Sequence, residues 1–150
     1  MPRGAQRLWP GLAAGWTLLY VGSKIWYAIE GRLGVTGGPI VPRSHYQDYG
    51  PGEVATAQWL NAGMGMLIVL LLLATLLPIT SRAIHWALSV LLAAAALMAS
   101  AGAVGMLGRA LATDSGGALF GAYCVIWAVL ITTALVVYWR RPRTPVRGPE

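Results

Sequence analysis

The sequence predicts an all-α membrane protein: four transmembrane helices in an antiparallel bundle, with a long outer loop between the first two. Three observations lead there. The 150-residue chain is 57% hydrophobic and only 11% charged, whereas an ordinary soluble domain carries about 25% charged residues. Its apolar residues collect into long runs, each able at ~1.5 Å rise per residue to cross a hydrocarbon core of ~30 Å. Its charges lie at the ends and in the connections. A chain of this length suits a single domain spanning residues 1–150.

The first run, about 8–29, follows Arg3 and Arg7. A basic start is also what a signal peptide shows. This run is too long for a typical apolar signal core and no small-x-small cleavage site follows cleanly, so the segment is predicted to be retained. Residues 30–53, "EGRLGVTGGPIVPRSHYQDYGPGE", form the outer loop. Its Gly, Pro and Tyr content predicts an ordered irregular cap. The second run, about 54–77, is stopped by Pro78, which cannot continue a helix without loss of a backbone donor. "ITSR" at 79–82 is a tight turn, the third run covers about 83–108, and "RALATDSGG" at 109–117 is a short polar loop. The fourth run covers about 118–139. The tail 140–150, "RRPRTPVRGPE", is basic, proline-rich and predicted to be disordered. With no water to satisfy backbone groups in lipid, the four runs are read as helices.

The net charge of +6 comes mostly from terminal arginines. An even number of spans puts Arg3, Arg7, Arg82, Arg140, Arg141, Arg143 and Arg147 on one side. Arg32, Arg43 and Arg109 fall on the other, among Glu30, Asp48, Glu53 and Asp114. The excess predicts both termini in the cytoplasm and the long loop outside. Trp9, Trp86, Tyr138 and Trp139 then mark the inner interface, and Trp26, Tyr27, Trp59 and Tyr123 the outer one. Such a charge pattern argues against nucleic acid as a partner, since a nucleic-acid binder gathers its charge along one folded face. The single cysteine, Cys124, excludes an internal disulfide and any CxxC redox pair.

Lys24 is the chain's only lysine, and it lies inside the first apolar run. At about 100° per residue, Gly11, Gly15 and Gly22 share one side of that helix. The Gly11–Gly15 spacing is a G-x-x-x-G pair suited to close helix packing. Trp16, Tyr20, Lys24 and Tyr27 fall on the opposite side. Two readings of Lys24 follow. Its ammonium snorkels to lipid headgroups, or it lines an outward-opening pocket, as ionisable residues within spans often do. In the second reading Tyr20, Lys24, Tyr27, Glu30, Arg32, Gln58, Asn61 and Arg109 make a polar cluster in the outer third of the bundle, and they are the candidate ligand-binding residues. The alternative for the same cluster is helix–helix hydrogen bonding.

Other chemistry is poorly supported. His45, Asp48 and Glu53 share the long loop without HExxH or HxxxH spacing, so no metal is predicted. Ser89 and Ser100 share a face with His85, but no acid accompanies them as a triad requires. Cys124 sits among small residues and reads as packing. No cofactor motif occurs. "GRLGVTGG" after the first helix and "GRALATDSGG" after the third echo one another, which is read as coincidence in a chain with 19 glycines.

The stretch "GSKIWYAIEGRLGVTGGPIVP", with an apolar first helix and a Gly-Pro-rich outer loop, resembles a family of small four-helix bacterial integral membrane proteins of unknown function. The resemblance covers residues 1–65. It implies architecture and a bacterial cytoplasmic membrane, and no chemistry. The chain departs from small multidrug exporters: Glu30 is at the interface rather than in mid-helix, and the first loop is long.

Three functions compete. The first is an interaction protein embedded in the lipid bilayer: an accessory subunit bound to a membrane protein partner or to copies of itself, or a bundle that binds an apolar small molecule. The second is a membrane enzyme acting on an isoprenoid or lipid. It would use Glu30 or Asp48 as acid, Lys24 or Arg109 as hydrogen-bond donor, and Trp16, Tyr20 and Trp26 as aromatic walls. The third is a small dimeric transporter.

Overall fold

Four helices emerge where apolar runs predict them, with altered ends. The computed structural model of the chain describes residues 3–141; Arg143, Arg147 and the rest of the predicted tail beyond Arg141 lie outside the described residues. Helix α1 is Arg3–Ile29, α2 Glu53–Ala74, α3 Arg82–Ala112 and α4 Ala118–Trp139. Among the described residues there is no strand, only an isolated bridge between Pro39 and Gly116.

Three of these helices, α2, α3 and α4, are long and apolar enough to cross a membrane. Helix α1 is long enough but less apolar: Pro10, four glycines, three tryptophans and Lys24 interrupt its aliphatic residues. The surface agrees with a lipid-facing exterior. Leu60 and Leu97 are each 71% exposed, and they belong to a continuous apolar coat that water would not tolerate.

Packing runs in the order α2, α1, α4, α3, and α2 and α3 barely meet. The core is built from small residues: Ala13 and Ala14 of α1, Ala95, Ala96 and Ala99 of α3 and Ala134 of α4 surround Leu72, Leu92, Trp127 and Ile131. Lipid tails are as apolar as leucine, so helices associate by close van der Waals approach, for which small side chains are needed. Polar stitches cross the α1–α4 contact. The Trp127 Nε1–H donates to Thr17 Oγ1 at 2.8 Å, and Thr17 donates to the Ala13 carbonyl at 2.7 Å. The Tyr123 hydroxyl donates to the Trp16 carbonyl at 2.6 Å, while Trp16 Nε1–H donates to the Tyr123 carbonyl at 3.3 Å.

The face of α1 that packs is not the one the glycine spacing indicated. Gly11, Gly15 and Gly22 are exposed, and a Cβ added to any of them would meet nothing within 4 Å. Ala13, Ala14, Thr17, Val21, Lys24 and Ala28 are buried instead. The reason lies opposite them: Gly65 of α2 comes so close that its Cβ would stand 2.8 Å from Val21 and 3.0 Å from Tyr20. The small residue that permits close approach is on the partner helix.

The helix ends differ from expectation for local reasons. Helix α2 stops before Leu76 rather than at Leu77, and Thr75 turns its hydroxyl back to the Leu72 carbonyl at 2.6 Å. Helix α3 runs on through "RALA" to Ala112, so the loop before α4 is only 113–117. Helix α1 begins well before Leu8 and carries Pro10 inside it. Proline has no N–H, which leaves the carbonyl four residues back without its helical donor. That carbonyl, Gln6 O, is taken by Arg141 Nη2 at 2.6 Å, and Arg141 Nη1 donates to the Thr75 carbonyl. One guanidinium thus ties the start of α1, the end of α2 and the end of α4.

Candidate functional site

At the other end of α1, Gly31 adopts φ +61°. Its N–H reaches the Ala28 carbonyl at 3.2 Å and the Arg32 N–H reaches the Tyr27 carbonyl at 2.9 Å. This is a Schellman termination, for which glycine's left-handed freedom is needed. It folds residues 32–36 back along α1. Thr36 N–H donates to Ser23 Oγ at 2.8 Å, and the two hydroxyls share a hydrogen bond of 2.9 Å. Gly34, with φ +136°, passes so close to Tyr27 that a Cβ would lie 3.0 Å from the ring.

The returning backbone is not in a ladder, so its carbonyls need donors from elsewhere. Lys24 and Gln58 supply them. Lys24 Nζ donates to the Gly34 carbonyl at 2.8 Å. Gln58 Nε2, from α2, donates to the Arg32 carbonyl at 2.9 Å and to the same Gly34 carbonyl at 3.1 Å. Lys24 is 9% exposed and Gln58 2%. Lys24 Nζ also stands 5.6 Å from the Tyr20 ring centroid, a cation–π distance. Among the described residues no carboxylate pairs with it. The ammonium is therefore turned inward onto backbone.

Of the predicted cluster, then, the fold brings together Lys24, Gln58, Tyr20 and Tyr27. The others stand apart. Glu30 and Arg32 pair with each other at 3.0 Å on the exposed rim, and the Arg32 guanidinium lies 5.6 Å from the Tyr27 ring. Asn61 is exposed, because three residues of helix turn it off the buried line of Gln58, Ala62 and Gly65. Arg109 Nε–H donates to Ser115 Oγ at 2.9 Å, within its own connection. Asp48 is exposed in the loop, as is His45. Among the described residues no three His, Cys, Asp or Glu side chains converge on a metal-sized space.

Beneath the returning segment lies a cavity of about 450 Å³ between α1 and α4. Trp16, Tyr20, Phe120 and Tyr123 form its aromatic wall, and Val35 and Thr36 close its top. Trp16 and Tyr123 stack at 5.0 Å, Phe120 and Tyr123 at 5.6 Å, and Tyr20 lies 5.2 Å from Trp127. The Ser23–Thr36 hydroxyl pair sits at the rim, and Leu19, Leu119 and Ile126 are exposed beside it. Trp26, named with Trp16 and Tyr20 as a possible wall, is 61% exposed and lines nothing here. Phe120, Ser23 and Thr36 were missed. Phe120, Tyr123 and Trp127 recur at helical spacing on α4, and that periodicity was a readable signal.

The two connections close over this end together. Ile40 N–H donates to the Ser115 carbonyl at 3.0 Å, and Phe120 N–H, free at the start of α4, donates to the Gly37 carbonyl at 3.0 Å. Each echoing segment of the sequence thus bonds to a residue that flanks the other. No protein-family model matches the chain, and neither a curated protein nor a solved structure resembles it significantly.

Proposed function

We propose that this protein spans the membrane four times, with both termini in the cytoplasm, and binds an apolar, chain-shaped molecule without catalysis. Helix α1 joins the three strongly apolar helices as the fourth span, antiparallel to its neighbours. The observation carrying the binding reading is the aromatic-walled cavity of about 450 Å³. It falls within the ~300–1,000 Å³ usual for small-molecule sites. Flat aromatic walls suit an isoprenoid or acyl chain, and the Ser23–Thr36 pair offers hydrogen bonds to one polar end group. The enzyme reading has less support, since neither Glu30 nor Asp48 lines this cavity.

The test is photo-crosslinking in nanodiscs with a diazirine-bearing polyprenol and, separately, a diazirine-bearing acyl chain. Labelling should concentrate on Leu19, Ala122, Tyr123 and Ile126, and Ala122→Phe, which fills the cavity from its rim, should lower it several-fold. Labelling spread evenly over the apolar coat, indifferent to Ala122→Phe, removes the site. The topology has its own check: cysteines introduced at Ser44 and Thr80 should label from opposite sides of sealed vesicles with an impermeant thiol reagent. Labelling of both from the same side refutes it.

A further inference from the structure

A second cavity, of about 420 Å³, lies at the opposite end of the bundle from the returning loop. Arg7, Arg82, Arg141 and His85 line it, together with Thr80 and Ser81, and among the described residues no Asp or Glu does. The charges here are of one sign. Burial draws the Arg141 guanidinium below its ordinary range; Tyr138 opposes this, and the like charge of Arg7 adds a smaller push in the same direction as burial.

The local helix adds to the imbalance. Helix α3 starts at this cavity, with Ser81 as its cap and Arg82 as its first residue. Its first turn holds no acidic residue. A helix N-terminus carries about half a positive charge and favours an anion, so arginine there has the disfavoured sign. Three guanidinium groups and a helix N-terminus around one cavity, with no carboxylate lining it among the described residues, leave positive charge that an anion from outside would compensate. Guanidinium forks and helix-terminal N–H groups both match the oxygens of a phosphate. One wall of the cavity is apolar, formed by Leu76, Leu77 and Ile79. That wall fits a phosphate attached to a hydrocarbon chain.

We infer that the cavity between Arg7, Arg82 and Arg141 is a binding site for a phosphate group, of the kind an anionic phospholipid headgroup presents. Arg7 and Arg82 are exposed and free to meet it, while Arg141 holds its place through the Gln6 and Thr75 carbonyls.

The experiment uses the full chain in mixed micelles of equal phosphatidylglycerol and phosphatidylcholine, with retained lipid counted by native mass spectrometry. Wild type should retain phosphatidylglycerol preferentially. Arg7→Gln and Arg82→Gln should each weaken that preference about fivefold, the effect expected of one arginine near an anionic surface. Arg43→Glu changes net charge as much as both together but sits in the distant loop, and should leave the preference intact. A second arm adds millimolar inorganic phosphate to protein in phosphatidylcholine alone and follows the thermal midpoint. A rise that Arg7→Gln and Arg82→Gln abolish supports the same site with a soluble phosphate as its source. Absence of both responses overturns the inference, as does a loss in Arg43→Glu equal to that in the other variants, which marks bulk charge attraction.

Discussion

Gly65→Leu and Gly121→Leu should each abolish a detergent-stable fold, while Gly11→Leu and Gly15→Leu should leave the thermal midpoint nearly unchanged. A Cβ on Gly121 would stand 2.8 Å from both Leu107 Cδ2 and Cγ and 3.1 Å from the Leu107 backbone nitrogen, so turning the leucine tip away would not relieve the α3–α4 contact. At Gly65 the obstacle is 2.8 Å away in the β-branched Val21, backed by the Tyr20 ring. Overpacking by a single methylene or two typically costs about 1–3 kcal/mol. A leucine at these positions adds more, and in a bundle held by close approach rather than by expulsion of water there is little else to offset it. The alanine variants should show the same ranking with smaller shifts. Thermal unfolding in detergent, followed by near-UV circular dichroism, reads every variant. A midpoint drop for Gly11→Leu or Gly15→Leu as large as that for Gly121→Leu would place the packing face of α1 on the other side.

That contrast also shows what the sequence could carry. Length and apolarity located all four helices, because lipid leaves a chain few alternatives to helix. Facing was another matter. A soluble helix declares its buried side by an apolar stripe. In α1 every side is apolar or small, so Gly11 and Gly15 looked like an interface and Lys24 like an outward residue. Which side packs was decided by Gly65, more than thirty positions away. The ends were misjudged for a related reason. Arg141 reads as part of a basic tail, and only the fold shows that it answers the carbonyl Pro10 leaves free. At the site, Lys24 and Gln58 were legible as rare polar residues in apolar helices at matching depth. Their shared acceptor was not, since it depends on the turn at Gly31.

Lys24 and Gln58 should therefore behave as one unit in a double-mutant cycle. Lys24→Met removes a charge-assisted hydrogen bond, but it also ends the cost of keeping an ammonium 9% exposed without a carboxylate. The Gly34 carbonyl keeps its bond from Gln58, so the net change should be within about 1 kcal/mol. Gln58→Leu strips the Arg32 carbonyl of that donor and leaves Gly34 with Lys24 alone; a fully buried orphan acceptor costs about 1–3 kcal/mol, and this part-buried one should cost no more than the lower end of that range. Part of this is offset, because Gln58 Oε1 is itself buried without a partner among the described residues, and leucine removes it. In the double variant both donors to the Gly34 carbonyl are gone. The destabilisation should exceed the sum of the single changes by about 1 kcal/mol or more, as expected for side chains sharing one hydrogen-bonded group. Because residues 32–36 are what those donors hold, the double variant should also expose that segment to limited proteolysis after Arg32, whereas each single variant should resist. Additivity within about 0.5 kcal/mol would mean the two donors do not share an acceptor. A Lys24→Met cost matching that of the double variant would instead assign the ammonium a partner other than the Gly34 carbonyl.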